Sequence, residues 1–316
     1  MQPRISMNAL LRSCASLLVL TTASCAPTEQ ERAADPAALA AGVDSLVAAS
    51  GAEVGVYYRS LAPGGDSLAL HADLRMHAAS TMKVPVMMRL FLDEAEGLRS
   101  PADSVEITRT FRSIVDGSDF ELPMDSDSDT TYYGRVGERV PMRDLVDRMI
   151  TWSSNLATNI VIQEAGAERV TTMLREMGAD SMEVLRGVED TKAFQAGLSN
   201  TTTARDLGVV MAQVAQGERF SPEQRAEMLA ILERQHFREN IPAGLPEGTR
   251  VANKTGSITG HTHDAAVVFP TDAPPYVLAV MIRGIEEQER AAALAAAVSR
   301  RVWEHHLARN AAKGAR

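Results

Sequence analysis

Ser80 stands three residues before Lys83 in "AASTMKVPVM", residues 78 to 87. Lysine and arginine total 32, and only Lys83, Lys192, Lys254 and Lys313 are lysines, which leaves 32 − 4 = 28 arginines. Arginine stays protonated at any biological pH, whereas a buried lysine can release its proton and act as a base. If a helix begins near Ala79, residues i and i+3 share a face, so the Ser80 hydroxyl and the Lys83 amine can meet. The positive end of that helix disfavours an ammonium and favours an alkoxide. Pro85 is tolerated only in a first turn, so the helix is expected to start slightly later than Ala79, or to bend. A serine at this spacing from a lysine arises about once by chance in a chain of this length, so the pair alone is a weak signal.

Two further short motifs change that weight. "S-S-N" occupies residues 153–155 in a strongly helical stretch, and "K-T-G-S" occupies residues 254–257. Taken singly, the first reads as the solvated face of a helix and the second as a turn. Ser-x-x-Lys, Ser-x-Asn and Lys-Thr-Gly in this order form the signature set of penicillin-recognising serine enzymes. The sequence resembles the class A β-lactamases and the serine hydrolases grouped with them, over roughly residues 36 to 310. "LRGVEDTKAFQAGLSNTTTARDL" (185–207) looks like the omega loop of that family, with Glu189 at the general-base position, 189 − 153 = 36 residues after Ser153.

The resemblance implies a role for each matched residue. Ser80 attacks the lactam carbonyl, and the backbone N–H groups of Ser80 and Ser257 form the oxyanion hole, usually the largest single catalytic contribution. Lys83 takes or relays the serine proton, and Ser153, helped by Lys254, passes a proton to the departing nitrogen. Asn155 positions the substrate's side-chain amide, while Thr255 and Ser257 bind its carboxylate. Glu189 activates the water that frees the acyl-enzyme; whether Lys83 or Glu189 serves as base in acylation is disputed for the family. The sequence also departs from the family. Ser154 replaces an aspartate that holds a loop, and Ala193 falls near an asparagine that helps hold the deacylating water. His263 falls near an arginine that helps bind the carboxylate, a role for which Arg283 and Arg290 are the alternatives. Extra length lies in "DGSDFELPMDSDSDTTYYG" (116–134), expected at the rim of the site with Tyr132 or Tyr133 lining it.

The elements that must position these residues are readable in outline. "DPAALAAGVDSLVAAS" (35–50) carries Leu39, Val43 and Val47 on one helical stripe. "EVGVYYRSL" (53–61) and "SLALHAD" (67–73) flank the turn "APGGD" as a hairpin. "HDAAVVFP" (263–270) and "PYVLAVMIRG" (275–284) read as two more strands, and residues 286–310 as a long helix with acids early and bases late. The middle is mostly helical, including 142–166 and 202–217. The expected architecture is α+β, of the β-lactamase/transpeptidase-like kind. An antiparallel sheet flanked by N- and C-terminal helices forms an α/β subdomain (about 38–75 and 225–310), with an inserted all-α subdomain (about 76–224). The site is expected at the seam, where pockets concentrate.

Bulk composition narrows the function classes. A formal charge of −9 and the lack of any arginine-rich patch interleaved with aromatics argue against nucleic acid as a partner. Arg4 and Arg12, followed by the apolar "ASLLVLTTAS" (15–24), read as an export signal too short for a membrane-spanning helix. "TTASC" resembles the lipoprotein cleavage box that would lipidate Cys25, with Thr22 where leucine is commoner; an ordinary cleavable signal is the alternative. Residues 1–24 are thus read as signal, 25–37 as a polar tether and 38–310 as the catalytic domain, periplasmic and anchored to the membrane only through lipid. Only Cys25 remains after such cleavage, so no intramolecular disulfide is possible. "D-S-D-S-D-T" (125–130) lacks the EF-hand glycine and glutamate and reads as a solvated acidic loop. "H-T-H-D" (261–264) resembles part of a metal-dependent lactamase site but has no further ligand cluster, so no metal and no cofactor are expected. His305 and His306 read as dipole partners near a helix end. The expected activity is serine β-lactamase hydrolysis by a monomer. Its rivals are a peptidoglycan D,D-peptidase-like or other amide or ester hydrolase, acting on a stem-peptide-like substrate, and a non-catalytic penicillin-binding or sensor domain.

Overall fold

The structure, a computed structural model, describes residues 29–100 and 103–314. The signal segment and Cys25 lie outside the described residues. Helices α1 (Glu29–Ala33) and α2 (Pro36–Ser50) lead into strands β1 (Glu53–Ser60) and β2 (Ser67–Leu70). Asp35 caps α2 by accepting from the Ala37 N–H, Pro36 starts it, and Gly51 ends it in the left-handed region. The expected tether is partly packed structure: Ala34 is buried, and the Ala33 carbonyl accepts from His305 Nδ1 at 2.9 Å.

Three short strand pairs follow in the middle of the chain. They are β3 (Met76–His77) with β8 (Thr201–Thr202), β4 (Ser104–Glu106) with β7 (Arg139–Pro141), and β5 (Thr110–Arg112) with β6 (Asp119–Glu121). Around them lie α3 (Lys83–Ala95), α4 (Met142–Thr151), α5 (Asn155–Ala165), α6 (Ala167–Glu176), α7 (Thr191–Gln195), α8 (Ala204–Gln216) and α9 (Pro222–Glu233). The chain closes with β9 (Arg250–Ile258), β10 (His261–Phe269), β11 (Tyr276–Arg283) and α10 (Gln288–Gly314).

The main sheet has five strands in the order β2-β1-β11-β10-β9, and its neighbours are antiparallel. Both termini therefore build one sheet, as the sequence order suggests. Successive side chains on a strand face opposite ways, and both faces here are apolar. Val54, Val56, Leu278, Val280 and Ile282 pack with α2 and α10, while Tyr57, Val277, Ala279 and Met281 join the core of the helical region. Strand β9 was not legible, because its "NKTGS" is polar and shows no alternation of apolar residues; Asn253 is buried by bonding to Asp264, not by packing in an apolar core.

Residues 142–166 form two helices, not the one their periodicity predicts. The chain breaks at Ser153, whose φ is +57°, and Ser154 then caps α5 by accepting from the Ala157 N–H at 3.2 Å. A serine cap competes with helix continuation by offering its own acceptor to the next turn. That break turns Ser153 out of a helix and into the cleft.

Candidate active site

Ser80 sits on a short 3-10 turn, Ala79–Met82, and α3 begins at Lys83. Pro85 therefore falls in the first turn of α3, where its missing N–H loses no bond. Side chains three apart eclipse in a 3-10 helix, which sets Ser80 and Lys83 on one side. Lys83 is fully buried. Its Nζ donates to Ser153 O at 2.7 Å and lies 3.1 Å from both Ser153 Oγ and Asn155 Oδ1.

The opposite wall is β9. Lys254 is also fully buried, and its Nζ lies 3.1 Å from Ser153 Oγ and 2.8 Å from Thr255 O. The Ser153 hydroxyl thus bridges two lysine amines. Burial lowers the pKa of Lys83 to about 7, against the opposing pull of Asp127 and Glu189. Burial, and then the neighbouring Lys83, push Lys254 well below the ordinary lysine range. Two buried ammonium groups on one hydroxyl are unfavourable, which suits the site to passing protons.

Gly256 fixes how closely β9 approaches Ser80. A Cβ at this position would stand 2.9 Å from the Ser80 backbone N and 3.0 Å from that of Thr81. Only glycine permits that contact without a backbone shift. Ser257 follows Gly256 on the strand, paired with Thr262. Ser257 is exposed and its Oγ accepts from Gln288 Nε2 at 3.4 Å.

The predicted omega loop is held by α5. Asn159 lies one turn after Asn155, and its side chain both accepts from the Val188 N–H at 2.6 Å and donates to Val188 O at 2.9 Å. The next residue is Glu189, exposed, with φ +61°. The loop's neck is tied by Asn200, whose side chain bonds the backbone of Leu185 and Arg186. Asp190 accepts from Ser113 Oγ, the Ile114 N–H and the Ala193 N–H at 2.9 to 3.1 Å. Among the described residues, the non-glycine positions with positive φ are His71, Ala79, Ser153 and Glu189. Three of the four are at or beside candidate catalytic residues, where such backbone strain tends to collect.

Several expectations are corrected. His263 is not a substrate ligand: the ring is buried, its Nδ1 accepts from the Ile282 N–H at 3.3 Å and its Nε2 donates to His77 O at 3.0 Å. Burial depresses its pKa to about 3, so it stays neutral and structural. Arg283 and Arg290 do not replace it as free cations, being paired with Glu53 and Glu287. His305 and His306 lie inside α10, not at its end, because the helix continues to Gly314. Both are buried, and His306 accepts from the Tyr58 hydroxyl at 2.7 Å. The acidic loop is not simply solvated: Asp129 is buried, and Asp127 accepts from backbone N–H groups of α5. Of the two rim tyrosines, Tyr132 is buried and Tyr133 bonds Asp127 at 3.2 Å. Asp127, Asn159 and Asn200 were missed because each acts on backbone distant in sequence, and no local spacing marks such a partner.

The comparisons with known proteins agree with this geometry. The sequence model of the beta-lactamase enzyme family (Beta-lactamase2) matches residues 38–306. A β-lactamase of Bacillus licheniformis is 28% identical over 150 residues, 46% of this chain and 49% of that protein. One of Streptomyces lavendulae is similar over 45% of its length, so the match spans about half of these first curated relatives. One of Amycolatopsis lactamdurans is 27% identical over 75% of each chain. Among solved structures, PBP-A is 28% identical with a TM-score of 0.73, covering 87% of this chain and 96% of that one. An ancestral class A β-lactamase has the same fold, with a TM-score of 0.72 at 23% identity over 84% of this chain and 99% of the other. A Ser-x-x-Lys turn, a Ser-x-Asn helix break and a Lys-Thr-Gly strand meet in one cleft of that fold, and the chain belongs to the beta-lactamase enzyme family.

Proposed function

We propose that this protein is a serine β-lactamase that hydrolyses the β-lactam amide through an acyl-Ser80 intermediate. The observation that carries the reading is the Ser153 hydroxyl, 3.1 Å from both the Lys83 and Lys254 amines in the cleft that also holds Ser80. Neutral Lys83 takes the Ser80 proton as Oγ attacks the lactam carbonyl. The oxyanion forms against the N–H groups of Ser80 and Ser257. As the C–N bond breaks, Ser153 gives its proton to the nitrogen and recovers one from the protonated Lys83. Glu189 then takes a proton from water, whose oxygen attacks the ester, and Ser80 recovers its own proton. Asn155 orients the substrate amide; Thr255, Ser257 and the Lys254 side of the cleft receive the carboxylate. An export signal with lipidation at Cys25 would place the enzyme in the periplasm, lipid-anchored to a bacterial membrane, a reading carried by residues 1–25.

A second reading, a D,D-peptidase-like enzyme that stays acylated by penicillins, is favoured by one observation. Ala193 is buried and presents a methyl group where the family resemblance expects a water-holding amide. A single-residue mutant of PBP-A has been solved as an acyl-enzyme complex with penicillin G, and its fold superposes on this chain with a TM-score of 0.73. One experiment separates the readings. The mature protein is incubated with a chromogenic cephalosporin while colour and intact mass are followed. Steady colour with a transient adduct is expected. A persistent adduct on Ser80 supports the second reading, and neither signal overturns both.

A further inference from the structure

The segment joining α3 to α4 sends one carboxylate under the reaction centre. Asp127 Oδ1 accepts from the Asn155 N–H at 2.9 Å, and its Oδ2 accepts from the Leu156 N–H at 2.8 Å. The Tyr133 hydroxyl at 3.2 Å and Ser154 Oγ at 3.3 Å also donate to Oδ2. These backbone N–H groups open α5 and have no partner within the helix. A carboxylate there also meets the positive end of the helix dipole. The next residue back, Ser126, accepts from Asn155 Nδ2 at 3.0 Å, while Asn155 Oδ1 lies 3.1 Å from Lys83 Nζ. Asn155 is therefore gripped by backbone and side chain on one side and presents its oxygen to the lysine on the other.

We propose that Asp127 is a positioning residue of the active site, fixing the first turn of α5 so that Asn155 and Ser153 hold the Lys83 amine toward Ser80. Its charge adds a second effect. The charged groups that face Lys83 are Asp127, Glu189 and, across the Ser153 hydroxyl, Lys254. Of the two acids, Asp127 exerts the larger pull toward the protonated amine. It thus keeps the lysine available to return a proton to Ser153 after it has taken one from Ser80. The rate consequence rests on the acyl-serine reading; the positioning itself does not.

The small number of lysines makes the test direct, since the full chain has only four. Lysine ¹³Cε resonances of the mature protein are titrated in the wild type, Asp127→Asn, Asp127→Ser and Asp127→Glu, with Asp125→Asn as an exposed control on the same loop. Serine still caps a helix but carries no charge, so it covers the case in which the asparagine variant does not fold. In the neutral variants Lys83 is expected to titrate at lower pH than in the wild type, and acylation by a penicillin to slow about 10- to 100-fold. Glutamate should keep the titration near the wild-type position, and Asp125→Asn should leave both measurements unchanged. A Lys83 titration that neither neutral variant moves overturns the proposal. If the wild type is not acylated at all, the β-lactam reading falls, while the Lys83 titration still decides the place of Asp127.

Discussion

The sheet wall of the cleft carries Lys254, Thr255 and Ser257 on one strand, whereas the helical wall assembles Lys83, Ser153, Asn155 and Glu189 from three separate segments. On β9 the spacing of the functional groups follows from the strand itself. A paired strand in fixed register, with Gly256 opposite His263 and Lys254 opposite Ala265, leaves them little freedom. On the helical side nothing comparable fixes the spacing. A helix break, two left-handed residues and the side chains of Asp127, Asn159 and Asn200 set it one contact at a time. A ladder shares its load over many backbone bonds, while a clamp concentrates it in one side chain. The two walls should therefore fail differently when single residues are changed.

The largest effect is expected where the walls touch. Gly256→Ala puts a methyl group against the Ser80 and Thr81 backbone, so Ser80 must move. Acylation followed by intact mass should slow about 100-fold, with circular dichroism unchanged because the ladder persists. Unchanged acylation would mean that the close approach of β9 does not set the position of Ser80.

The next effect is set by both walls together, through the hydroxyl that Lys83 and Lys254 share. In the proposed mechanism Lys83 must be neutral to take the Ser80 proton, and burial lowers its pKa to about 7. Protonation below that value removes the base, so acylation should rise with pH through about 7. The expected slope on the acid side is about tenfold per unit, read from single-turnover rates. A flat profile from pH 5 to 8 would transfer the proton-accepting role to Glu189.

The smallest change tests one clamp. Asn159→Ala leaves the Val188 N–H and carbonyl without their side-chain partner, at a cost of about 1–3 kcal/mol in chemical denaturation. It should lengthen the life of the acyl-enzyme more than it slows its formation, because the clamp adjoins Glu189 and not Ser80. Equal slowing of both steps would show that α5 as a whole had shifted.

The legible part of the site was the part written in short spacing. Ser80 with Lys83, Ser153 with Asn155, and Lys254 through Ser257 are each carried by four residues or fewer of continuous chain, and the structure brings all three groups to one cleft. Glu189 was legible only through its distance from Ser153 in a family pattern. His263 illustrates the limit: its place on a strand was readable, but the Ile282 N–H and the His77 carbonyl that occupy its ring come from elsewhere. The acidic run at 125–130 was misread for the same reason. An aspartate in a polar loop looks solvated until the orphan N–H groups of a distant helix are brought to it.

The sequence by itself determined the chemistry available to this protein: a hydroxyl, a lysine one turn away, and the short Ser-x-Asn and Lys-Thr-Gly motifs that accompany them. Local spacing sufficed, because i,i+3 pairs and strand neighbours meet in almost any fold that forms those elements. Tertiary structure alone decided which groups are buried, and so which lysines have their pKa lowered, which histidine has both ring nitrogens occupied, and which aspartate underpins α5. Burial and long-range hydrogen bonding depend on what packs from outside the segment, and that information is spread over the whole chain.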